Sequence, residues 1–472
     1  MAAPEDRAIA WRLGAGVVLF LLLVSPGEVR SIDGTAMLGV AQSIVHEGSL
    51  AVPAEIGVEG RNGLFYSKYG VLLSLLSVPP VALVQPVGML TGRVDLLETV
   101  AAAALIPIFT GMLAAALFLL GRRLGAPRAA AALVAAGALL GTYLLPYGSD
   151  FFTEPIVALG LVVMVERALA GRELQAGAAL AFAVLARPQT AVCAPLLFAF
   201  LLARGAGFNA IVRTLPPLAI AAVVTVAYNL ARFGEPFEFG YRPPVDPGFT
   251  TPFVRGAGGL LFSPEKSIFL FAPVIVLVPF ALAALWRRER ATAALLAALF
   301  AVMFVLAATW HSWMGGWSWG PRLLIPGVAI LLVALGPWIG AHAGRLRLAS
   351  VLFALGFVLS LAAVIAPVNL QQLDKPAGTD GPQLVRQVTE IPQLTRRSFG
   401  SAGDPGARRD DHRRYLAGWQ VAVVRQLGPL AWPAVAVGTL ALLAALLWVA
   451  LPLARELRRG PRPAEPAPSA AA

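Results

Sequence analysis

The run Ala101-Ala-Ala-Ala-Leu-Ile-Pro-Ile-Phe-Thr-Gly-Met-Leu-Ala-Ala-Ala-Leu-Phe-Leu-Leu120 carries no charged residue, and as a helix it is long enough to cross a hydrocarbon core of about 30 Å. No water reaches backbone N–H and C=O groups at that depth, so such a run must close its own hydrogen bonds as a helix. Comparable runs recur as far as Ala434–Leu451. The windows predict about twelve spans, centred near Val18, Ile108, Val134, Leu161, Ala181, Leu197, Val223, Val276, Phe300, Leu331, Ala354 and Leu443. Composition agrees: the 472 residues are 58% hydrophobic and 13% charged, with a mean hydropathy of +0.75, too apolar for a soluble chain of this length. The expected fold class is all-α, a polytopic integral membrane protein.

Charge orients the spans. A net charge of +11 raises the question of nucleic acid, but the basic residues fall in short clusters between apolar runs and form no soluble basic face. A nucleic-acid partner is therefore not expected. With a cytoplasmic N-terminus, Arg122/Arg123/Arg128, Arg167/Arg172, Arg204/Arg213, Arg287/Arg288/Arg290, Arg345/Arg347 and Arg455/Arg458/Arg459 all fall on the cytoplasmic side, as short loops should. This requires Val71–Leu90, apolar but interrupted by Pro79, Pro80 and Pro86, to be a broken interfacial or re-entrant segment and not a span. The expected location is the cell membrane, multi-pass, with both termini cytoplasmic and Ile9–Val24 as an uncleaved first span. The lone Cys193 sits in an apolar stretch and reads as a small core residue.

Three external pieces follow: residues 25–95, residues 232–266, and a loop at 367–426 whose arginines could meet lipid phosphates. The region 1–366 is read as the catalytic membrane unit. Residues 427–453 form the last span, and 454–472 a Pro- and Ala-rich cytoplasmic tail without order.

Candidate chemistry gathers on those external pieces. Asp33, just after the first span, is either an N-cap or a carboxylate able to take a proton from a hydroxyl. Tyr66-Ser-Lys68-Tyr69 places a cation between tyrosines, suited either to a phosphate or to anchoring at the interface. Asp150 and Glu154 would share a helix face if the helix began early; otherwise Asp150 or Thr153 serves as a cap. Glu154 lies near the hydrocarbon boundary, where an ionisable group is a functional candidate. Arg187, at a tight external turn, could pair with such a carboxylate or with a phosphate. The stretch Trp310-His311-Ser-Trp313-Met-Gly-Gly-Trp317-Ser-Trp319-Gly-Pro-Arg322 holds four of the ten tryptophans. An aromatic belt would need neither the glycines nor the neighbouring histidine and arginine, so a shaped surface for an amphipathic ligand is favoured. Four histidines in the whole chain give His311 no ligand spacing for a metal.

With Asp33, Phe65-Tyr-Ser-Lys-Tyr-Gly70, Thr153-Glu-Pro155, Arg187-Pro188, Tyr228-Asn229, Arg232-Phe-Gly-Glu-Pro-Phe-Glu-Phe-Gly-Tyr241, Leu260-Leu-Phe-Ser-Pro264 and the Trp310–Arg322 loop in this order, the chain resembles the GT-C membrane glycosyltransferases. The closer resemblance is to the family 39-like group of protein O-mannosyltransferases and the lipid A aminoarabinose transferase. It implies a polyprenyl-phosphate-linked sugar as donor and a lipid, glycan or protein hydroxyl as acceptor, with membrane lipids around the site. It also implies that Asp33 is the base, that Lys68, Arg187 and Arg322 hold the donor phosphate, and that Tyr66, Tyr69, Asp150, Glu154, Tyr241, His311 and Trp317 line the pocket. The family often has a second acid beside the aspartate; here Gly34 follows. Metal use varies in the superfamily, so a divalent metal is possible, although no D-x-D signature is present and no cofactor is expected with certainty. The competing reading is a transporter or flippase of lipid-linked sugars. That function calls for ionisable groups at the midplane of several spans and favours repeated halves, whereas the candidates here cluster on one side and no internal repeat is found.

Overall fold

The structure is a computed structural model and describes residues 3–316, 318–365, 419–420 and 428–458. In chain order the helices begin with α1 (Pro4–Val24), α2 (Ile32–Glu47), α3 (Val71–Thr91), α4 (Val94–Ala103), α5 (Leu105–Arg123) and α6 (Arg128–Leu140). There follow α7 (Leu144–Ser149), α8 (Glu154–Leu169), α9 (Glu173–Ala186), α10 (Ala194–Ala203), α11 (Gly207–Phe233) and α12 (Phe253–Phe262). The last are α13 (Ile268–Phe271), α14 (Val278–Arg288), α15 (Arg290–Thr309), α16 (Ile325–Leu332), α17 (Leu335–Gly340), α18 (Ala343–Ile365) and α19 (Trp432–Arg458). A two-stranded hairpin, β1 (Val58–Glu59) and β2 (Phe65–Tyr66), interrupts them with Val58 opposite Tyr66. Each of the twelve expected span centres falls within or beside one of these helices. Among the described residues, seven helices are long and apolar enough to cross a membrane, and five shorter apolar helices accompany them.

Small residues bring the helices together. A Cβ on Gly14 of α1 would lie 2.8 Å from the Gly111 carbonyl oxygen of α5, and one on Gly177 of α9 would lie 2.4 Å from the Thr214 carbonyl oxygen of α11. Lipid tails are as apolar as leucine, so close backbone approach and dispersion, more than burial from water, hold such pairs.

The basic clusters meet acids at one end of the bundle. Asp6 bridges Arg122 (3.0 Å) and Arg128 (2.8 Å), Arg123 pairs with Glu166 (2.7 Å), Arg204 with Glu289 (3.5 Å), and Arg12 with Glu456. Loops that the charge pattern assigns to one side thus lie together.

The segment expected to be proline-broken is instead continuous. Helix α3 runs unbroken through Pro79, Pro80 and Pro86, because its packing on α2 and α4 offsets the hydrogen bonds those prolines remove. Length and composition alone would let it cross a membrane, but its connections argue otherwise. Helices α4 and α5 together span Val94–Arg123, roughly 45 Å at the helical rise, with Arg122 and Arg123 at the basic end. Val94 therefore stands beyond the hydrocarbon on the opposite side, the side on which α3 also begins. Helices α2, α3 and α4 form a platform there, pinned by a buried acid: Glu98 of α4 accepts from Gln42 (3.0 Å) and lies 2.8 Å from His46 Nε2, both on α2, while Gln85 of α3 meets His46 Nδ1 at 2.9 Å.

Candidate active site

Asp33 is not the cap of α2. Ser31 is: its Oγ accepts the Gly34 N–H at 2.9 Å, which leaves the Asp33 carboxylate free to project from the first turn. A Cβ on Gly34 would lie 2.9 Å from the Phe151 carbonyl oxygen. Glycine is what lets α2 rest on the 151–154 segment, and a second acid at this position would find no room.

The second acid comes from α8. Asp33 Oδ1 accepts the Tyr69 hydroxyl at 2.6 Å, and Asp33 Oδ2 lies 3.1 Å from the Arg322 guanidinium. Arg322 Nε lies 3.3 Å from Glu154 Oε1, the same oxygen that accepts from Arg187 at 2.6 Å. Arg187 also donates to Thr153 Oγ1 at 2.8 Å. The guanidinium of Arg322 lies over the Phe152 ring, 5.3 Å from its centroid. Glu154 is fully buried, and among the described residues its Oε2 has no hydrogen-bond partner. Burial alone would push the Asp33 carboxyl up; Arg322, the Tyr69 hydrogen bond, Arg187 and Lys68 outweigh it and hold the group below its ordinary 3.8.

Lys68 joins from the other flank. Its ammonium lies 2.5 Å from Asp246 Oδ2 and 5.2 Å from the Tyr241 ring centroid, and His311 Nε2 lies 3.1 Å from Asp246 Oδ1. Trp310 sets its ring edge-on to Tyr241 (5.3 Å) and Phe249 (5.0 Å). Arg232, itself buried, donates to the Ser67 carbonyl and to Asn229 Oδ1 (2.7 Å) and stacks on Tyr228. The Tyr228–Arg232 motif thus fixes the backbone that presents Lys68.

Not every candidate joins this cluster. Helix α8 starts at Glu154, so Asp150 and Glu154 do not share a helix face. The Asp150 carboxyl accepts the Phe151 N–H at 2.6 Å; burial pushes it up to about 6, with Arg30 opposing. Tyr66 is buried edge-on against Phe233 within the hairpin and serves as scaffold. The tryptophans are divided: Trp319 packs on Phe271 in the core and Trp313 covers Gly259 of α12. Trp317 lies outside the described residues, as does all of the loop at 367–426 except Trp419 and Gln420.

Two participants carry no local sequence signal. Asp246 is one acid among several in the loop between α11 and α12. Lys266, 3% exposed, donates to the carbonyl and hydroxyl (3.0 Å) of Ser318 in the tryptophan loop. Burial, and then Arg322, push it down from 10.5 to about 7. Between those values the unfolded chain binds more protons than the folded one, so stability rises with pH across that window. Thermal melts at pH 7.5 and 9.5 should show the gain in the native protein and a smaller one in Lys266→Met; equal gains would remove Lys266 as its source.

Among the described residues, no three His, Cys, Asp or Glu groups gather as a metal cluster would require. Asp33 and Glu154 are both already matched by arginine, a donor set better suited to an anion than to a divalent cation.

The fold has solved counterparts. ArnT from Cupriavidus metallidurans bound to undecaprenyl phosphate superposes over 97% of this chain and 78% of that one, with a TM-score of 0.52 at 14% identity. The apo form covers 93% and 75%, at a TM-score of 0.50 and 14% identity. The chain shares the fold of these two structures. No family model and no curated protein matches the sequence. Within that fold the polar cluster is assembled from α2, the 67–69 segment, the start of α8, the end of α9 and the loop before α16, all at the end of the bundle opposite the basic clusters.

Proposed function

We propose that the protein is a glycosyltransferase that moves a sugar from a polyprenyl phosphate to an acceptor hydroxyl on the external face of the membrane. The observation that carries this reading is one carboxylate, Asp33, kept ionised between a tyrosine hydroxyl and Arg322, with Lys68 and Arg187 beside it. Undecaprenyl phosphate in the ArnT structure of the same fold supports the donor class.

Asp33 takes the proton of the acceptor hydroxyl as its oxygen attacks the anomeric carbon. The bond from that carbon to the phosphate oxygen breaks, its electron pair stays on the lipid phosphate, and Lys68, Arg187 and Arg322 stabilise the charge that develops there. A single displacement inverts the anomeric centre, unlike a retaining pair of carboxylates. The unpartnered Glu154 Oε2 offers an acceptor for a sugar or substrate hydroxyl. The acceptor is a lipid, glycan or protein hydroxyl.

The reading is tested by supplying labelled sugar on polyprenyl phosphate to the purified protein in nanodiscs with membrane extract. Transfer supports it. Donor crossing the bilayer without transfer would favour a flippase.

A further inference from the structure

We infer that the Asp246 carboxylate stands where the donor phosphate binds and is displaced by it, which rests on reading this cluster as a lipid-phosphate site. Its carboxylate sits between Lys68 Nζ (2.5 Å) and His311 Nε2 (3.1 Å), offering there the charge and acceptor oxygens that a phosphate would bring.

Balance of charge shows why it leaves. Asp33, Glu154 and Asp246 face Lys68, Arg187 and Arg322, so the cluster is neutral as it stands. A bound phosphate adds negative charge to a site largely shielded from water, where an unmatched ion costs several kcal/mol. Departure of one acid restores the balance. Asp33 and Glu154 sit in the first turns of helices and are held by arginines, whereas Asp246 is carried on a loop.

That loop is built to release. From Tyr241 to Thr250 every residue is exposed except Asp246 and Gly248, and the stretch is bracketed by Gly240 and Gly248 at positive φ (80° and 77°). It is tied at its ends, where Arg242 reaches the Glu59 carbonyl (3.2 Å) and His311 N–H donates to the Gly248 carbonyl (2.8 Å). Between Pro243 and Pro247, the polar ties to the rest of the protein among the described residues are the two made by the Asp246 carboxylate. Once a phosphate takes over both Lys68 Nζ and His311 Nε2, nothing polar holds the tip inward, and the loop opens beside the tyrosine and tryptophan that flank the site.

Affinity for undecaprenyl phosphate in nanodiscs tests this with native protein, Asp246→Asn and Lys68→Met. Asp246→Asn keeps the shape but not the competing charge, so binding should tighten by about tenfold, while Lys68→Met weakens it. Binding by Asp246→Asn that is unchanged or weaker, with Lys68→Met still impaired, would overturn the displacement but leave the phosphate site standing. Native protein and Lys68→Met binding alike, or neither binding, would overturn both. Hydrogen exchange on the native protein tests the same step without a variant: uptake across residues 241–250 should rise when undecaprenyl phosphate is added, and unchanged or reduced uptake would count against release.

Discussion

Asp33→Asn is expected to lower sugar transfer by about 10²- to 10⁴-fold, the usual contribution of a general base, with donor affinity nearly intact. The substitution keeps the size of the side chain and an oxygen for the Tyr69 hydroxyl, but an amide cannot take a proton from an attacking hydroxyl. Donor phosphate is held by the cations, so the loss should fall on turnover. The pH profile gives a second reading. Because Arg322, Tyr69, Arg187 and Lys68 hold Asp33 below 3.8 against the effect of burial, activity should be level from pH 7 down to about pH 5. An acid limb near pH 6 would point to Asp150, whose carboxyl titrates there, and equal transfer by Asp33→Asn would remove Asp33 as the base.

Arg322→Met is expected to cost about 3–5 kcal/mol of stability, the range for removing one partner of a buried ion pair, and to abolish transfer as well. Arg322 neutralises two carboxylates from different helices at once, Asp33 at 3.1 Å and Glu154 at 3.3 Å, with only 14% of its side chain exposed. Without it, Asp33 loses its main electrostatic support and its acid limb should climb towards neutrality. Arg322→Lys should recover only part of either loss, since a point charge lacks the fork that reaches both acids. Unfolding curves in nanodiscs and the pH–rate profile check the two claims separately; a variant as stable as the native protein would show that the bridge has no structural weight.

Much of this architecture is legible in the residues because lipid leaves few options. An apolar run free of charge must become a helix, so the spans can be read one by one, and short basic loops group on one side. The cations and acids that converge are legible for a related reason: Asp33, Lys68, Glu154, Arg187 and Arg322 lie at or beyond the ends of apolar runs, where ionisable groups are conspicuous. What escapes is whatever depends on partners far away in sequence. The pairing of Lys68 with Asp246 joins residues 178 positions apart, and no spacing foretells it. Asp150 separates from Glu154 because α8 starts one turn later than a shared face would need. The prolines of α3 suggest a break that packing on α2 and α4 prevents, and the crowding at Gly34 becomes visible only when α2 lies against Phe151.

The pinning of α2 has a consequence for how function would be mapped on this protein. One rigid helix carries Asp33 near its start and His46 near its end, about 20 Å apart at the helical rise, and the far end is fastened to Glu98. The helix is a lever, so a substitution at Glu98 swings the carboxylate without touching any substrate. A survey scored by activity alone would place His46 and Glu98 inside the reaction centre, whereas they belong to its mounting.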